Sequence, residues 1–157
     1  MVNIILSFNR VKLTIELVPQ TAWYSNVRSN VTRSEWDKIR KESYRKAGYK
    51  CEVCKDVGTN QGFKHDLECH EIWNYNDKTH KQILKGMISL CPKCHEVKHI
   101  GLAQIKGRYN LALEQLISVN QINKEEAERY VEESFKVWQE RSKFEWELDI
   151  TYLDEER

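Results

Sequence analysis

The sequence predicts a single α+β domain, and three observations indicate this class. The length of 157 residues is typical of one domain. The middle of the chain carries two Cys-x-x-Cys pairs around short β-type segments. The last third has apolar residues at spacings of three and four, which is the spacing of helices packed against a core.

The composition is that of a soluble protein. Apolar residues make up 40% of the chain and charged residues 31%, and five Trp and seven Tyr add bulk for a core. No apolar run reaches the roughly 18 residues of a membrane helix, and residues 1–30 lack the pattern of a signal peptide. Five cysteines, an odd number without an export signal, argue against a disulfide framework. We therefore expect a cytoplasmic protein with no membrane partner.

The formal net charge of +1 hides an asymmetry along the chain. Residues 124–157 contain six basic and twelve acidic side chains. Residues 28–50 contain three acidic side chains and eight basic ones, namely Arg28, Arg33, Lys38, Arg40, Lys41, Arg45, Lys46 and Lys50. The basic segment favours a polyanionic partner, although a solvated helix face explains it equally well.

The N-terminal region is predicted to form a strand pair. Residues 10–18 alternate apolar and polar side chains as a half-buried strand does, with Val11, Leu13, Ile15 and Leu17 on the apolar side. Residues 2–8 are also strand-like, so the two segments are expected to form a hairpin that Pro19 ends. Residues 20–32 are predicted to be an irregular connection with two aromatic anchors in the core, Trp23 and Tyr24.

The centre of the domain is predicted to be helix, hairpin and helix. Residues 34–47 look helical, with Ser34 as the cap and Asp37 three residues on. Residues 63–72 and about 81–90 are β-type runs separated by a polar turn. Pro92 suits the first turn of a helix that runs to about residue 100.

The C-terminal part is predicted to be helical with a closing strand. Residues 108–119 form a short apolar helix. Residues 124–144 form a longer one, capped by Asn123 and with acidic residues in its first turn. Residues 144–153, FEWELDITYL, are typical of a final strand.

The two Cys-x-x-Cys pairs are the most specific signal in the chain. They consist of Cys51 with Cys54 and of Cys91 with Cys94, with 36 residues between the pairs. Four thiolates from two such knuckles form the closed tetrahedral sphere of structural zinc, and the spacing leaves room for a hairpin between them. Buried unligated cysteines are the alternative, and two coincident spacings make it a poor one.

Three histidines suggest a second metal site. His95 follows the last cysteine directly, and His99 lies one helical turn later on the same face. His70 lies on the preceding strand, from which it can supply a third ligand. Three protein ligands leave positions for water and substrate, as a catalytic ion requires. Taken alone, His99 is equally typical of a cation at a helix C-terminus.

At these residues the sequence resembles a known family. The segments LECHEI and GMISLCPKCHEVKH resemble the motif of HNH endonucleases, which have a ββα-metal fold on a treble-clef zinc scaffold. The resemblance covers residues 51–99 and is most specific from Leu90 to His99. It implies that His70, His95 and His99 hold a catalytic ion (Mg, Mn, Ni or Zn) beside the four-cysteine zinc.

The resemblance also implies roles for further residues. Lys98 matches the basic residue near the substrate phosphate. The family's general base, the second histidine of a pair on the first strand, is Glu71 here, and the family's bracing Asn is Gly86. Glu71 is then a base, a ligand or a structural carboxylate, and Gly86 marks a bulge or a close backbone approach. Polar residues of the hairpin loop are possible substitutes, namely Asn74, Asn76, Asp77 and His80.

The family's activity implies contact with nucleic acid. The basic residues expected to follow a phosphate backbone are Arg40, Arg45, Lys46, Lys93 and Lys98. Trp73 and Tyr75 are suited to stacking on bases, and core packing explains Trp73 at least as well. Cys69 is expected to be a small core side chain outside the metal sites.

The resulting prediction is one domain over residues 1–157. It comprises N-terminal strands and a connection (1–32), a zinc-bound HNH-like core (51–99), and C-terminal helices with a strand (103–157). The implied function is metal-dependent hydrolysis of DNA, with catalysis by Glu71, His70, His95 and Lys98. RNA is a further possible substrate. The alternatives are a zinc module for nucleic acid or protein without turnover, and a protein that binds another protein through its acidic C-terminal helix.

Overall fold

The computed structural model describes residues 11–155, which form an α+β domain. The strands are β1 (Glu68–Asn76), β2 (Lys81–Leu90) and β3 (Glu147–Asp149). The helices are α1 (Val27–Asn30), α2 (Arg33–Lys46), α3 (Pro92–Lys98), α4 (Ile100–Ile105), α5 (Tyr109–Asn120), α6 (Lys124–Arg141) and α7 (Tyr152–Glu155). None of these helices is long and apolar enough to cross a membrane.

The sheet has the order β1-β2-β3, with β1 at one edge. The predicted hairpin is present, with β1 and β2 antiparallel from Glu68 opposite Leu90 to Asn76 opposite Lys81. The second strand has the predicted bounds, but the first covers 68–76 instead of 63–72. The register shifts after Ile72, whose partner is Gly86. This irregularity in the ladder agrees with a bulge, one of the two expectations for Gly86.

The C-terminal strand is much shorter than predicted. Only Glu147–Asp149 are in a strand, which runs parallel to β2, and the chain turns into α7 at Tyr152. Thr151 causes this break, because its N–H and its hydroxyl both donate to the Asp149 carboxylate, at 3.0 Å and 2.7 Å. Such a local Asx turn competes with a continuing ladder.

Helix α2 begins one residue before the predicted span, with a different cap. The Thr32 hydroxyl accepts from the Glu35 N–H, and the Glu35 carboxylate accepts from the Thr32 N–H. This is a complete capping box, which the predicted pair of Ser34 and Asp37 does not form. Helix α6 is capped in the same way by Asn123, as predicted, together with Glu126.

The segment from Val11 to Val18 is irregular, with a bend at Lys12 and Leu13, so this part of the predicted strand pair is wrong; residues 2–8 lie outside the described range. Its apolar alternation is real, because Leu13 and Ile15 are buried. Its backbone groups, however, bond to side chains of helices: Asn120 Oδ1 accepts from the Leu13 N–H at 2.8 Å, and Tyr130 Oη accepts from the Ile15 N–H at 3.0 Å. Alternation reports burial of one face and not the identity of the hydrogen-bond partner.

The main core lies where this N-terminal segment meets α3, α4, α5 and α6. Its buried members include Leu13, Val97, Ile100, Leu116 and Val131. Two aromatic residues predicted to anchor the core lie at the surface instead, since Trp23 is 52% exposed and Tyr24 is 89% exposed. The indole N–H of Trp23 donates to the Val18 carbonyl at 3.0 Å, so this hydrogen bond to the backbone holds the side chain at the surface.

The helix predicted from Pro92 to about residue 100 is two helices. Pro92 occupies the first turn of α3, as predicted. The backbone leaves helical geometry at His99, with φ −109° and ψ 44°, and α4 starts at Ile100. The chain therefore changes direction at His99, the residue that the sequence predicts to be a metal ligand.

Candidate metal centres

The four cysteines of the two pairs form one cluster. Their sulfur atoms all lie within 4.8 Å of one another, and Cys54 Sγ lies 3.5 Å from Cys91 Sγ. All four are free thiols, and Cys51, Cys91 and Cys94 are fully buried. The separation of the sulfurs fits one tetrahedral zinc ion, so the cluster could hold the metal that the sequence predicts.

Local structure brings the two knuckles together. The first follows α2 through Gly48 and Tyr49, both at positive φ, and the turn after Cys54 closes at Lys55 with φ 67°. The second begins at Cys91, the residue just before α3. Glu52 joins them, because its N–H donates to the Ser89 carbonyl at 2.9 Å and its carboxylate accepts from the Ser89 N–H at 2.6 Å.

Neutral amide donors surround the sulfurs. The side-chain amide of Gln61 donates to Cys91 Sγ and that of Gln115 donates to Cys94 Sγ, both at 3.3 Å. The Cys54 N–H faces Cys51 Sγ at 3.5 Å. Donors of this kind stabilise thiolates, which are the form of cysteine that binds metal.

The three histidines form a second cluster. Nitrogens of His70, His95 and His99 lie within 4.8 Å of one another, and the ring centroids are 4.8 Å to 5.3 Å apart. His70 projects from β1, His95 lies within α3, and His99 lies at the break between α3 and α4. Three nitrogen ligands at this spacing fit one divalent ion with open coordination positions.

Carboxylates hold two of these rings. Nδ1 of His95 bonds to Oε2 of Glu68, and Nε2 of His70 bonds to Oε2 of Glu16 at 2.9 Å. The hydrogen bond from His95 and, less strongly, its charge hold the pKa of Glu68 at about 2, against the opposing effect of burial. Burial lowers the pKa of His99 to about 3, so this ring is neutral near pH 7, as a ligand must be.

Glu16 is a site residue that sequence reasoning missed. It lies on the N-terminal segment, 54 residues before His70, and the Nζ of Lys98 lies 2.8 Å from Oε2 of Glu16, the oxygen that bonds to His70. Burial would raise the pKa of Glu16, but the hydrogen bond from His70 and the charge of Lys98 together lower it to about 2. The alternating pattern of residues 10–18 marks Glu16 only as a polar position. Nothing in the sequence indicates that Glu16 contacts a histidine of the cluster.

Lys98 is not on the surface. Only 5% of the residue is exposed, and its Nζ donates to the Thr14 hydroxyl at 2.6 Å in addition to pairing with Glu16. The Lys98 ammonium group is therefore already paired within the protein and is not free for the expected contact with a substrate phosphate. Its closest partners belong to the N-terminal segment.

Glu71 lies apart from the histidine cluster. Successive side chains of a strand point to opposite faces, so Glu71 and His70 diverge, and Glu71 is outside the group of neighbouring ligand atoms. Its carboxylate accepts from the Val27 N–H at 2.8 Å and from the Trp73 indole N–H at 3.2 Å. Burial raises the pKa of Glu71 despite these donors.

Of the four residues predicted to lie in the hairpin loop, Asn74 and Asn76 are in β1, and Asp77 and His80 are in the turn but outside the histidine cluster. Asn76 accepts from the backbone N–H groups of Lys78 and Thr79 within the turn. Asp77 forms a two-point ion pair with Arg141, and His80 stacks on Phe144 with 4.2 Å between ring centroids. Each of these side chains supports the turn or its contact with the C-terminal part.

Most of the predicted phosphate-binding side chains have carboxylate partners. Arg40 pairs with Asp37 and Arg45 pairs with Glu42, each within α2. Lys93, by contrast, is exposed on α3. Lys46 lies in the last turn of α2. The helical part of the basic segment thus contains two ion pairs between its own side chains.

The aromatic residues after the histidine of β1 are held by packing. Trp73 packs in a second apolar cluster built around Val27, Leu84 and Leu153. The ring of Tyr75 meets Trp146 edge-on at 5.0 Å, and the guanidinium of Arg141 lies 5.0 Å from its centroid. Cys69 is half-buried, and burial raises its pKa to about 11, so it is an unreactive thiol near neutral pH.

A groove of about 1820 Å³ runs past the histidine cluster. Its walls include the N-terminal segment, the edge strand β1 and helices α4 and α6, and all three histidines, Glu16 and Glu71 border it. The cluster is therefore open on one side. This is the feature that separates it from the enclosed cysteine cluster.

Known proteins give no match. A scan of protein-family models, a search of curated proteins and a search of solved structures each found no significant similarity to this chain. The resemblance to HNH endonucleases thus depends on the residues themselves and on their arrangement.

Proposed function

We propose that this protein is a metal-dependent endonuclease of the HNH type, which hydrolyses phosphodiester bonds in DNA. The observation that carries the proposal is the pairing of two different ligand clusters on one hairpin-helix unit. Four cysteines gather around the ends of β2 and α3, and three histidines converge from β1 and α3 beside an open groove. A closed sulfur site with an open nitrogen site is the combination of a structural ion and a catalytic one.

The histidine ion would supply the charge stabilisation that phosphodiester cleavage needs. A divalent ion at this site would supply charge stabilisation for the phosphoryl and leaving oxygens. His70, His95 and His99 would hold it, and the hydrogen bond between Nδ1 of His95 and Glu68 leaves Nε2 of His95 available as the ligand atom. The groove supplies the room for a strand of nucleic acid.

Glu71 is our candidate for the group that accepts the proton from water. It borders the same groove as the histidines, and its donors are neutral: the backbone N–H groups of Val27 and Arg28 and the indole N–H of Trp73. A carboxylate has four lone-pair sites, so these three bonds leave capacity for one water molecule. Glu16 is the poorer candidate, because His70 and Lys98 already occupy one of its oxygens.

Cleavage of supercoiled plasmid tests the proposal. Wild-type protein with Mg²⁺, Mn²⁺, Ni²⁺ or Zn²⁺ should convert plasmid to nicked or linear forms, and His95→Ala should lose this activity together with one bound ion of two. His80→Asn is the matched control, because it removes a histidine at the hairpin tip and Asn tolerates the positive φ of that position. No cleavage with any ion, or equal cleavage by His95→Ala, would contradict the proposal.

A second candidate is a zinc module that binds nucleic acid or protein without turnover. One observation favours it: Lys98, which was expected beside the substrate phosphate, is buried in an ion pair with Glu16. Metal analysis separates the candidates, since a module needs only the cysteine zinc. One ion per chain, with DNA bound but uncut in fluorescence anisotropy, would favour the module.

A further inference from the structure

The Glu16 carboxylate connects the histidine cluster to the N-terminal segment. One oxygen accepts from His70 Nε2 at 2.9 Å and lies 2.8 Å from the Lys98 ammonium, and 32% of the side chain remains exposed. The Glu16 N–H also donates to the Lys98 carbonyl at 3.2 Å. Backbone and side chain thus both fix Glu16 against the end of α3.

The segment that carries Glu16 is anchored on both of its sides. Asn120 of α5 accepts from the Lys12 and Leu13 N–H groups, each at 2.8 Å, and donates to the Leu13 carbonyl at 2.9 Å. Tyr130 of α6 accepts from the Ile15 N–H at 3.0 Å. These bonds fix the position of the carboxylate, although none of the strands within residues 11–155 pairs with the segment.

The bond to Glu16 selects one tautomer of His70. An ionised carboxylate only accepts hydrogen bonds, so Nε2 of His70 carries the hydrogen and Nδ1 carries the lone pair. The bond between Glu68 and His95 makes the opposite selection, with the hydrogen on Nδ1 and the lone pair on Nε2. Carboxylates that accept from metal-binding histidines in this way orient the ring and strengthen the ligand.

We propose that Glu16 is a positioning residue of the histidine metal site. Glu16 holds His70 so that Nδ1 faces the ion, and Lys98 in turn holds Glu16 in place. The inference depends on the metal site of the proposed function and not on cleavage of DNA. It reassigns Lys98 from contact with substrate to support of a ligand.

Titration with Co²⁺ tests this assignment. Protein carrying zinc at the four cysteines is titrated with Co²⁺, and the visible spectrum of the bound ion reports the number and kind of its ligand atoms. Glu16→Gln should weaken Co²⁺ binding about tenfold, at the lower end of the range of about 10- to 100-fold for such partners, because an amide holds the ring without its charge. The positions of the absorption bands should not change, since the three histidines remain the ligands.

A second variant guards against misfolding from an unpaired charge. Glu16→Leu combined with Lys98→Met removes both charges of the half-buried pair and should weaken Co²⁺ binding towards 100-fold, with the cysteine zinc retained. Glu133→Gln is the matched control: Glu133 borders the same groove and pairs with Lys136, and its loss should leave Co²⁺ affinity unchanged.

Three results would overturn the inference. Unchanged Co²⁺ affinity in both Glu16 variants would remove Glu16 from the site. Shifted absorption bands in Glu16→Gln would make Glu16 a ligand instead of a positioning residue. Equal weakening by Glu133→Gln would show a general effect of groove charge. DNA cleavage is measured separately, so a wild-type protein that binds Co²⁺ and cuts nothing would contradict only the proposed function.

Discussion

The cysteine cluster and the histidine cluster share helix α3, which carries both Cys94 and His95, yet they are built differently. The cysteines come from two tight knuckles, three of the four are fully buried, and their outer partners are neutral amides. The histidines come from a strand, a helix and a helix break, and the outer partners of two of them are carboxylates. An enclosed site with neutral support suits a permanent ion, whereas an open site with charged support suits an ion that takes part in chemistry.

The largest predicted effect is that of disrupting the cysteine cluster. Cys54→Ser, or removal of zinc by a chelator, should unfold much of the domain, because structural zinc in small sites contributes on the order of 10 kcal/mol of apparent free energy. Circular dichroism and zinc content measure the loss. Cys69→Ser is the control, since this free thiol lies outside the cluster and the variant should keep fold and zinc.

Comparison of Cys54→Ser with His95→Ala sharpens the division of roles. His95→Ala should keep the helical signal and the cysteine zinc while it loses the second ion. If the histidine variant unfolded and the cysteine variant did not, the structural and catalytic assignments would have to be exchanged.

An intermediate effect is expected at Glu71. Glu71→Gln should lower DNA cleavage by about 100-fold or more, the usual contribution of a general base, with both metal ions retained. Single-turnover cleavage rates and metal analysis measure the two quantities. Glu71→His gives the complementary test, because a gain in rate would show that the native carboxylate is a weak base at this position. Unchanged cleavage in both variants would leave Glu71 with a structural role alone.

The smallest effect concerns a group that contacts neither cluster. Burial raises the pKa of Tyr75 above its usual value near 10, so the folded state disfavours the tyrosinate. The contribution of Tyr75 to stability is complete below pH 10 and is lost as the pH rises above it, because the unfolded chain ionises first. Tyr75→Phe keeps the ring contacts with Trp146 and Arg141 and should reduce the loss of stability between pH 9 and pH 11.

Denaturant unfolding at several pH values measures this difference, and absorbance at 295 nm follows the ionisation of tyrosine directly. A wild-type protein whose tyrosines all ionise near pH 10 would contradict the prediction.

The parts of the fold that could be predicted from sequence are those with local causes. The turn between β1 and β2, Pro92 at the start of α3 and the Asn123 cap of α6 all follow from neighbouring residues. The grouping of His70 with His95 and His99 followed from the hairpin and the helix that carry them, and the cysteine cluster from two short spacings.

The parts that could not be predicted depend on distant partners. Residues 11–18 alternate as a strand does, but the hydrogen-bond partners that decide their structure are Asn120 and Tyr130, more than a hundred positions away. Lys98 matches a surface residue of a motif, and its burial follows from Thr14 and Glu16. Glu71 follows His70 in sequence, but the alternation of a strand directs it to Val27 instead of the cluster.

The anchoring of the N-terminal segment bears on how this motif can be transplanted. A graft of residues 51–99 onto another scaffold would carry all four cysteines and all three histidines. It would leave behind Glu16, and with it Asn120 and Tyr130, whose hydrogen bonds set the height and angle of that carboxylate. The shortest piece that retains the supported histidine site therefore extends from the N-terminal segment to α6, about two and a half times the stretch in which the motif can be read.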